Sequence, residues 1–249
     1  GGIVFTYSIG NFPTLRCLEQ IRKDAAYHDA NVKIVAVGGG FSYGALRVSQ
    51  HATEYLAIFR AIPNMTVVSP VDRWEAAEAT SAIASRPGAC YLRLDKSHAA
   101  DTNRPDEVFQ LGRARIVREG ADFTIIATGG ILGVALDAAE LLSGVGIEVR
   151  VVSMHTIRPF DEATVLDSCT QTGGVLTLEE HVVTGGLGGA VAETCLTHGV
   201  IPSHFVRMGL GDQFCSVVGS QTYLRSAYGI DAPSVVHRVT SALGDQRPN

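Results

Sequence analysis

The chain has 249 residues, of which 46% are hydrophobic and 18% are charged, and this balance excludes an intrinsically disordered protein. Its net charge is −5 without a lysine or arginine block, which predicts no nucleic-acid partner. No apolar run reaches the roughly 18 residues of a membrane span, so no membrane partner is predicted either. The five cysteines form no CxxC pair, which is typical of a reduced, cytoplasmic protein without a structural metal.

Short apolar strands alternate with helical patterns along the first hundred residues. Strands are predicted at residues 3–7, 32–37, 66–69 and 90–94, and helices at 13–26, 53–61 and 72–84. Asp72 and Glu75 open the last of these helices with the spacing of a capping box. The strand at 32–37 runs into a glycine-rich turn, GGGFSYG at 38–44, which we call the glycine turn.

A polar stretch at 96–110 separates this half from a second alternation. Strands are predicted there at 113–118, 123–127, 148–152, 174–178 and 204–208, and helices at 132–142, 160–168, 188–198 and 220–228. Apolar strands with intervening helices indicate parallel sheets covered on both faces. We therefore predict an α/β protein of two domains with mostly parallel sheets flanked by helices, one over residues 1–100 and the other over 111–249.

Two glycine-rich segments follow predicted strands, where α/β proteins place ligand sites. The glycine turn lacks the Lys-Ser/Thr ending of a phosphate loop, and it fits a tight strand exit better than a nucleotide-binding loop. The segment GGLGG at 185–189 fits either a dinucleotide-binding loop or the close packing of a helix on a sheet. Both alternatives stay open at this point.

Several single residues near strand ends are candidates for chemistry, and each has a structural alternative. His51 follows the glycine turn and is a candidate for either a catalytic or a structural histidine. Arg16, Arg93 and Lys96 are candidates for binding an anion or for solvated surface charge. Phe12 fits either a flat heteroaromatic ligand or core packing.

Several sequence blocks, taken in order, resemble the transketolase family. The blocks are FTYS at 5–8, FPTLRCLEQIR at 12–22, GGGFSYG at 38–44, RAIPNM at 60–65, YLRL at 91–94, VSMHTIRP at 152–159, LEEH at 178–181 and GGLG at 185–188. The first half is similar to the family's thiamine-diphosphate pyrimidine-binding domain, and the second half to its C-terminal domain. The resemblance therefore covers nearly the whole chain.

This resemblance implies thiamine diphosphate as the cofactor and sugar phosphates as the substrates, between which a two-carbon ketol unit is transferred. It places Phe12 and Tyr7 at the cofactor's aminopyrimidine ring. It places His51 at a catalytic histidine that faces the substrate. Lys96 aligns with a basic residue that holds substrate phosphate, and Arg16 with an arginine of the deoxyxylulose-phosphate synthases.

Parts of the family's site are expected outside this sequence. The family's activating glutamate lies upstream of the strand at 3–7, and the magnesium motif that binds the cofactor's diphosphate belongs to another domain. We therefore expect an N-terminally truncated C-terminal half of a transketolase that is inactive alone. An N-terminal transketolase subunit is the expected partner that holds magnesium and diphosphate, and the chain itself is expected to form a homodimer.

Two other interpretations stay open. Arg47, Gln50 and Tyr55 depart from the residues that are usual in these blocks, which fits a non-catalytic scaffold or dimerisation protein. A different reaction of the same superfamily also fits, such as that of a deoxyxylulose-phosphate synthase or of the β-subunit of a two-oxoacid dehydrogenase.

Overall fold

The computed structural model describes residues 2–96 and 99–244, and within them ten strands form two five-stranded sheets. The strands are β1 (Val4–Ile9), β2 (Val32–Val37), β3 (Thr66–Val68), β4 (Cys90–Leu94), β5 (Arg115–Arg118), β6 (Phe123–Thr128), β7 (Val149–Ser153), β8 (Thr156–Arg158), β9 (Val175–Val182) and β10 (Phe205–Leu210). The α-helices are α1 (Leu18–Gln20), α2 (Tyr55–Ala61), α3 (Arg73–Ser85), α4 (Leu132–Ser143), α5 (Glu162–Gln171), α6 (Leu187–Thr197), α7 (Gln221–Ala227) and α8 (Ala232–Gly244).

The first sheet has the order β1-β2-β4-β3-β8, and the second has the order β10-β9-β6-β7-β5. All neighbours pair in parallel except β8 with β3 and β5 with β7, which are antiparallel. The predicted fold class, two mostly parallel sheets flanked by helices, is confirmed. Among the helices that the structure describes, none has both the length and the apolar character that crossing a bilayer demands.

Burial explains why the inner strands lack a polar–apolar alternation. All six residues of β6 and all three of β3 are buried, because helices cover both faces of a parallel sheet. The edge strand β1 is different, since its first four residues are exposed although most are apolar. The sequence of β1 is thus that of a covered strand, while its position in this chain is an open edge.

The helix predicted at 13–26 is not a regular α-helix. The segment begins as a 3-10 turn (Leu15–Cys17), passes through α1 and continues as a π-helical stretch (Ile21–Tyr27). Two further elements were not predicted. Strand β8 leaves the end of β7 and joins the first sheet, and helix α8 packs along α4 in the second half.

The predicted capping box at the start of α3 is only half formed. Asp72 caps the helix, because its Oδ1 accepts from the Glu75 amide at 2.8 Å. The Glu75 carboxylate does not return to the cap residue. It accepts instead from the amide of Val71 at 2.9 Å, from Ser153 Oγ at 2.7 Å and from Arg115 Nη1 at 2.5 Å.

This carboxylate ties the two halves of the chain together. Glu75 lies on α3 and is fully buried, while Arg115 lies on β5 in the second half and is 7% exposed. Arg115 also bonds Glu107 and stacks over the Trp74 ring at 4.6 Å. Burial raises the pKa of Glu75, and its bonds to Ser153 and Arg115 oppose that rise.

We expect Arg115→Met to lower the free energy of unfolding by about 3–5 kcal/mol, because it leaves a buried Glu75 carboxylate without its cationic partner. Urea denaturation followed by circular dichroism measures the change. Arg73→Met is the matched control, since Arg73 pairs with Asp101 but its side chain is 86% exposed. It should leave the stability nearly unchanged. Equal effects of the two substitutions would contradict this account of the buried pair.

Candidate active site

The glycine turn leaves β2 at the carboxyl edge of the first sheet, and its amides are bonded within the protein. The amides of Gly38 and Gly39 both donate to the Leu94 carbonyl, at 2.7 and 3.0 Å, and the Gly40 amide donates to Ala52 O at 3.0 Å. Gly38 has φ +101° and Gly40 has φ +57°, where glycine is favoured. The segment is therefore a tight strand exit, since these amides are not free to bind phosphate.

His51 lies buried beside this turn, with 3% of its surface exposed. Its Nε2 lies 3.4 Å from the Gly44 carbonyl, and its ring packs edge-on against Phe41 at 5.3 Å between centroids. Its Nδ1 has no hydrogen-bond partner among the described residues. Burial lowers the pKa of His51, which favours a neutral imidazole that can both accept and donate a proton near pH 7.

Two more buried polar atoms near His51 also lack partners in residues 2–96 and 99–244. They are Oδ1 of Asn11 and Oε1 of Gln50. Asn11 Nδ2 donates to the Ser49 carbonyl, so its side chain lies against the segment that carries Gln50 and His51. Buried polar groups are normally hydrogen-bonded. Three such atoms on neighbouring segments make this region a candidate for binding a polar ligand.

The aromatic candidates lie beyond this group, at the end of β1. Phe12 is half-buried, and the guanidinium of Arg16 lies 4.3 Å above its ring. The structure therefore brings together two residues that the sequence suggested separately. Tyr7 lies on the open edge strand with 69% of its surface exposed.

Arg93 has its guanidinium engaged by other groups of the protein. It is 1% exposed, and its guanidinium donates to Ser69 Oγ at 3.2 Å and to the Glu180 carbonyl at 3.0 Å. Asp95 lies 3.6 Å away and accepts in turn from the Gly130 amide at 2.6 Å. This placement does not support the expectation that Arg93 binds substrate. The arginine holds the junction between the sheets instead.

Lys96 has the opposite environment. Its side chain is exposed, with Nζ 4.7 Å above the Tyr43 ring, and its backbone amide donates to Ser42 Oγ at 3.2 Å. The ammonium group is therefore able to bind an anion next to the glycine turn. In the described part of the chain, no three His, Cys, Asp or Glu side chains converge as metal ligands.

The second glycine segment binds a carboxylate of its own chain. Glu179, on β9, accepts from the amides of Leu187 at 2.7 Å and Gly188 at 2.8 Å, at the start of α6. Burial raises the pKa of Glu179 to about 7. Because this carboxylate occupies the helix N-terminus, the segment serves packing and capping, and the dinucleotide interpretation is not supported.

Two neighbours of Glu179 belong to the LEEH block, although the sequence analysis assigned them no role in the site. His181 is fully buried, its Nδ1 lies 2.7 Å from the Val182 carbonyl, and burial lowers its pKa to about 4. Glu180 reaches across to the glycine turn, where its Oε1 accepts from the Phe41 amide. The predicted strand stopped at residue 178, just before this run. The sequence signal for them was the run of three ionisable residues at 179–181, which directly continues an apolar strand.

Comparison with known proteins gives a consistent result for both halves. The family model of the transketolase pyrimidine-binding domain matches residues 2–101, and that of the transketolase C-terminal domain matches residues 112–235. The chain is 39% identical over 243 residues to a 6-deoxy-6-sulfo-D-fructose transketolase subunit of Clostridium sp. strain MSTE9, covering 96% of this chain and 74% of that protein.

Two further relatives agree with this match. An apulose-4-phosphate transketolase subunit of Phocaeicola vulgatus is 34% identical over 236 residues, covering 94% of this chain and 74% of that protein. A solved structure described as a split-gene transketolase, inactive beta4 tetramer, superposes with a TM-score of 0.86 at 36% identity. That superposition covers 98% of this chain and 76% of the solved one.

The raised pKa of Glu179 predicts a pH-dependent effect of Glu179→Gln. The folded-state pKa of about 7 lies above the ordinary value of 4.5, so the contribution of Glu179 to stability is full below pH 4.5 and is lost as the pH rises to about 7. Glutamine does not titrate. The variant should therefore gain about 3 kcal/mol relative to wild type over that range, at about 1.4 kcal/mol per pH unit.

Urea denaturation at several pH values measures this difference. Glu19→Gln on the exposed face of α1 is the control, and its difference from wild type should change little with pH. A pH-independent difference for Glu179→Gln would contradict a protonated Glu179 in the folded protein.

Proposed function

The chain belongs to the transketolase family, and from that premise we propose that it is the C-terminal subunit of a thiamine diphosphate enzyme that transfers a two-carbon ketol unit between sugar phosphates. One observation carries the proposed site: Asn11 bonds the segment that carries Gln50 and His51, and each of these three residues has a buried polar atom without a partner among the described residues. A polyhydroxylated sugar offers the donors and acceptors that such atoms require.

The residues at this edge fit the aminopyrimidine part of the cofactor. Phe12 is half-buried at the end of β1 and offers an aromatic surface to a flat ring, and the neighbouring Asn11 offers an amide oxygen to its amino group. Tyr7 lies on the same strand end. When bound, thiamine diphosphate supplies a nucleophilic carbon and an electron sink for the carbanion.

The remaining roles follow from charge and burial. His51, with a neutral imidazole and a free Nδ1, holds a sugar hydroxyl and moves its proton. Lys96 binds the substrate's anionic end group from the exposed side of the glycine turn. Arg16, which lies over the Phe12 ring, provides a second positive charge for binding the substrate. Arg93 acts from the interior, where it fixes Asp95 and the end of β4.

A partner chain completes the enzyme in this proposal. The edge strand β1 exposes Val4 by 52% on one face and Phe5 by 43% and Tyr7 by 69% on the other, which fits an edge that a further element covers. The two curated relatives compared above are themselves named as transketolase subunits. We assign diphosphate and magnesium binding to an N-terminal transketolase subunit, and a further contact to a second copy of this chain.

The test combines this protein, expressed with any sequence encoded upstream of residue 1 so that the expected activating glutamate is included, with the N-terminal transketolase subunit of the same organism. Thiamine diphosphate and Mg²⁺ at 100 times the dissociation constant should stabilise the complex by about 2.7 kcal/mol, and ketol transfer should appear. Because relatives are named for a sulfonated and a phosphorylated ketose, the donor panel includes both. Stabilisation without any transfer would support another superfamily reaction. The absence of both stabilisation and transfer would support a non-catalytic scaffold.

His51→Gln should lower kcat/KM by about 10²–10⁴-fold in the reconstituted enzyme, the usual contribution of a general acid–base group. Cofactor-dependent stabilisation should persist, because the imidazole is assigned to the substrate. His28→Gln is the control, since His28 is exposed and its ring lies edge-on to that of Tyr27. Turnover by His51→Gln at the wild-type rate would remove His51 from the catalytic machinery.

Lys96→Met should raise the KM for an anionic ketose by about tenfold or more, because a charge-assisted hydrogen bond contributes about 1.5–3 kcal/mol. The KM for an uncharged ketose should stay near that of the wild type. Lys23→Met, at another exposed lysine of the first half, should change neither value. Steady-state kinetics with the paired substrates measure the ratio. An equal rise for both substrates would contradict contact with the anionic group.

A further inference from the structure

We propose that Glu180, which belongs to the second half of the chain, is a positioning residue that fixes the glycine turn and thereby the imidazole of His51. This inference rests on the function proposed above, in which His51 contacts the substrate. It gives the second half a role in the site although none of that half's side chains is assigned to the cofactor or the substrate.

Glu180 is bonded on both carboxylate oxygens. Its side chain is 1% exposed. Oε1 accepts from the Phe41 amide and from Gln221 Nε2, the latter at 2.8 Å, and Oε2 accepts from Arg225 Nε. These three groups are donors, so the arrangement holds an ionised carboxylate. One of them belongs to the glycine turn, and the other two belong to α7 in the second half.

The turn is shaped around this carboxylate. Gly40 adopts φ +57°, and a Cβ at that position would overlap the Glu180 side chain. Phe41 then directs its amide at Glu180 and its fully buried ring at His51. A displacement of the Glu180 carboxylate would therefore first move Gly40 and Phe41, which connect it to the His51 imidazole.

Two contacts connect the turn to His51. The Phe41 ring packs edge-on against the imidazole at 5.3 Å, and it leans on Tyr228 of the second half at 5.5 Å. Gly40 exchanges two backbone hydrogen bonds with Ala52, the residue after His51, at 3.0 and 3.1 Å. The turn, Phe41 and His51 therefore form one packed unit whose anchor is Glu180.

The groups around Glu180 hold its strand and its carboxylate separately. Arg93 donates to the Glu180 backbone carbonyl at 3.0 Å, so the strand position is held independently of the carboxylate. Burial raises the pKa of Glu180, and Asp95 acts in the same direction, while Arg225 and the donors Gln221 and Phe41 N–H oppose it. Replacing the carboxylate alone therefore tests the anchor without removing the strand's own support.

The decisive variant is Glu180→Gln in the full chain, because glutamine has the same shape but replaces one acceptor oxygen with a donor. Two-dimensional NMR of the isolated chain should show displaced amide signals for Gly40 and Phe41 and a displaced imidazole signal for His51, the last assigned with His51→Gln. Glu193→Gln is the matched control. It also breaks an Arg–Glu pair, with Arg60, but its side chain is 65% exposed on α6.

In the reconstituted enzyme, Glu180→Gln should lower kcat about tenfold or more while the KM for thiamine diphosphate changes less than twofold. Glu193→Gln should change neither. A folded Glu180→Gln chain with wild-type His51 signals overturns the proposal, as does an unchanged kcat. The NMR readout needs neither partner nor cofactor. An enzyme that never transfers ketol units would therefore refute the proposed function without deciding the coupling of Glu180 to His51.

A second variant covers the case in which Glu180→Gln does not fold. Gln221→Leu removes one donor to Oε1 and leaves Arg225 and the Phe41 amide in place. It should displace the same Phe41 and His51 signals, in the same direction and to a smaller extent. Unchanged signals in folded Gln221→Leu would overturn the proposal, because the loss of a direct bond to the anchor would then not reach the turn.

Discussion

Charge buried where the two sheets meet is the constraint on which the rest of this structure depends. Arg93, Asp95 and Glu180 are each almost without contact with solvent, and a buried charge is tolerated only when it is paired and hydrogen-bonded. Hydrogen bonds between the halves complete the network, since Arg93 donates to the Glu180 carbonyl and the Glu180 carboxylate accepts from the Phe41 amide. Each charge keeps its ion pair within its own half, but a different arrangement of the halves would remove these hydrogen bonds from buried polar groups.

That arrangement decides which polar groups are free for chemistry. The amides of Gly38, Gly39 and Gly40 are bonded to the protein, and the N-terminus of α6 is capped by Glu179, so these groups are not available to a phosphate. Asn11, Gln50 and His51 keep unpartnered atoms within the described residues. The ligand of the proposed function therefore binds beside the glycine turn and not on the turn itself.

Local sequence rules predicted much of the fold. They failed where the structure of a segment depends on a partner that is distant in the sequence. Strands β2 and β4 have the predicted bounds, and Asp72 caps α3 as its spacing indicated. The helix expected at 13–26 is partly π-helical, and β8 joins the first sheet from the second half. Apolar periodicity carries no information on such pairings, because β8 is only three residues long and its partner β3 lies far away in the sequence.

The sequence by itself determined the family, the two mostly parallel sheets and the residues that could carry chemistry, because apolar strands, caps and motif blocks are local features. Only the tertiary structure decided which of those residues are available. Arg93 and Lys96 lie three positions apart at one strand end, yet one is buried in a network and the other is exposed. Arg93 differs from Lys96 because it contacts Glu180, 87 positions away in the sequence, and this contact removes the Arg93 guanidinium from water. The glycine turn is a second example. Its sequence permits a left-handed backbone at Gly40, but only the tertiary structure places the Glu180 carboxylate where a Cβ of residue 40 would lie.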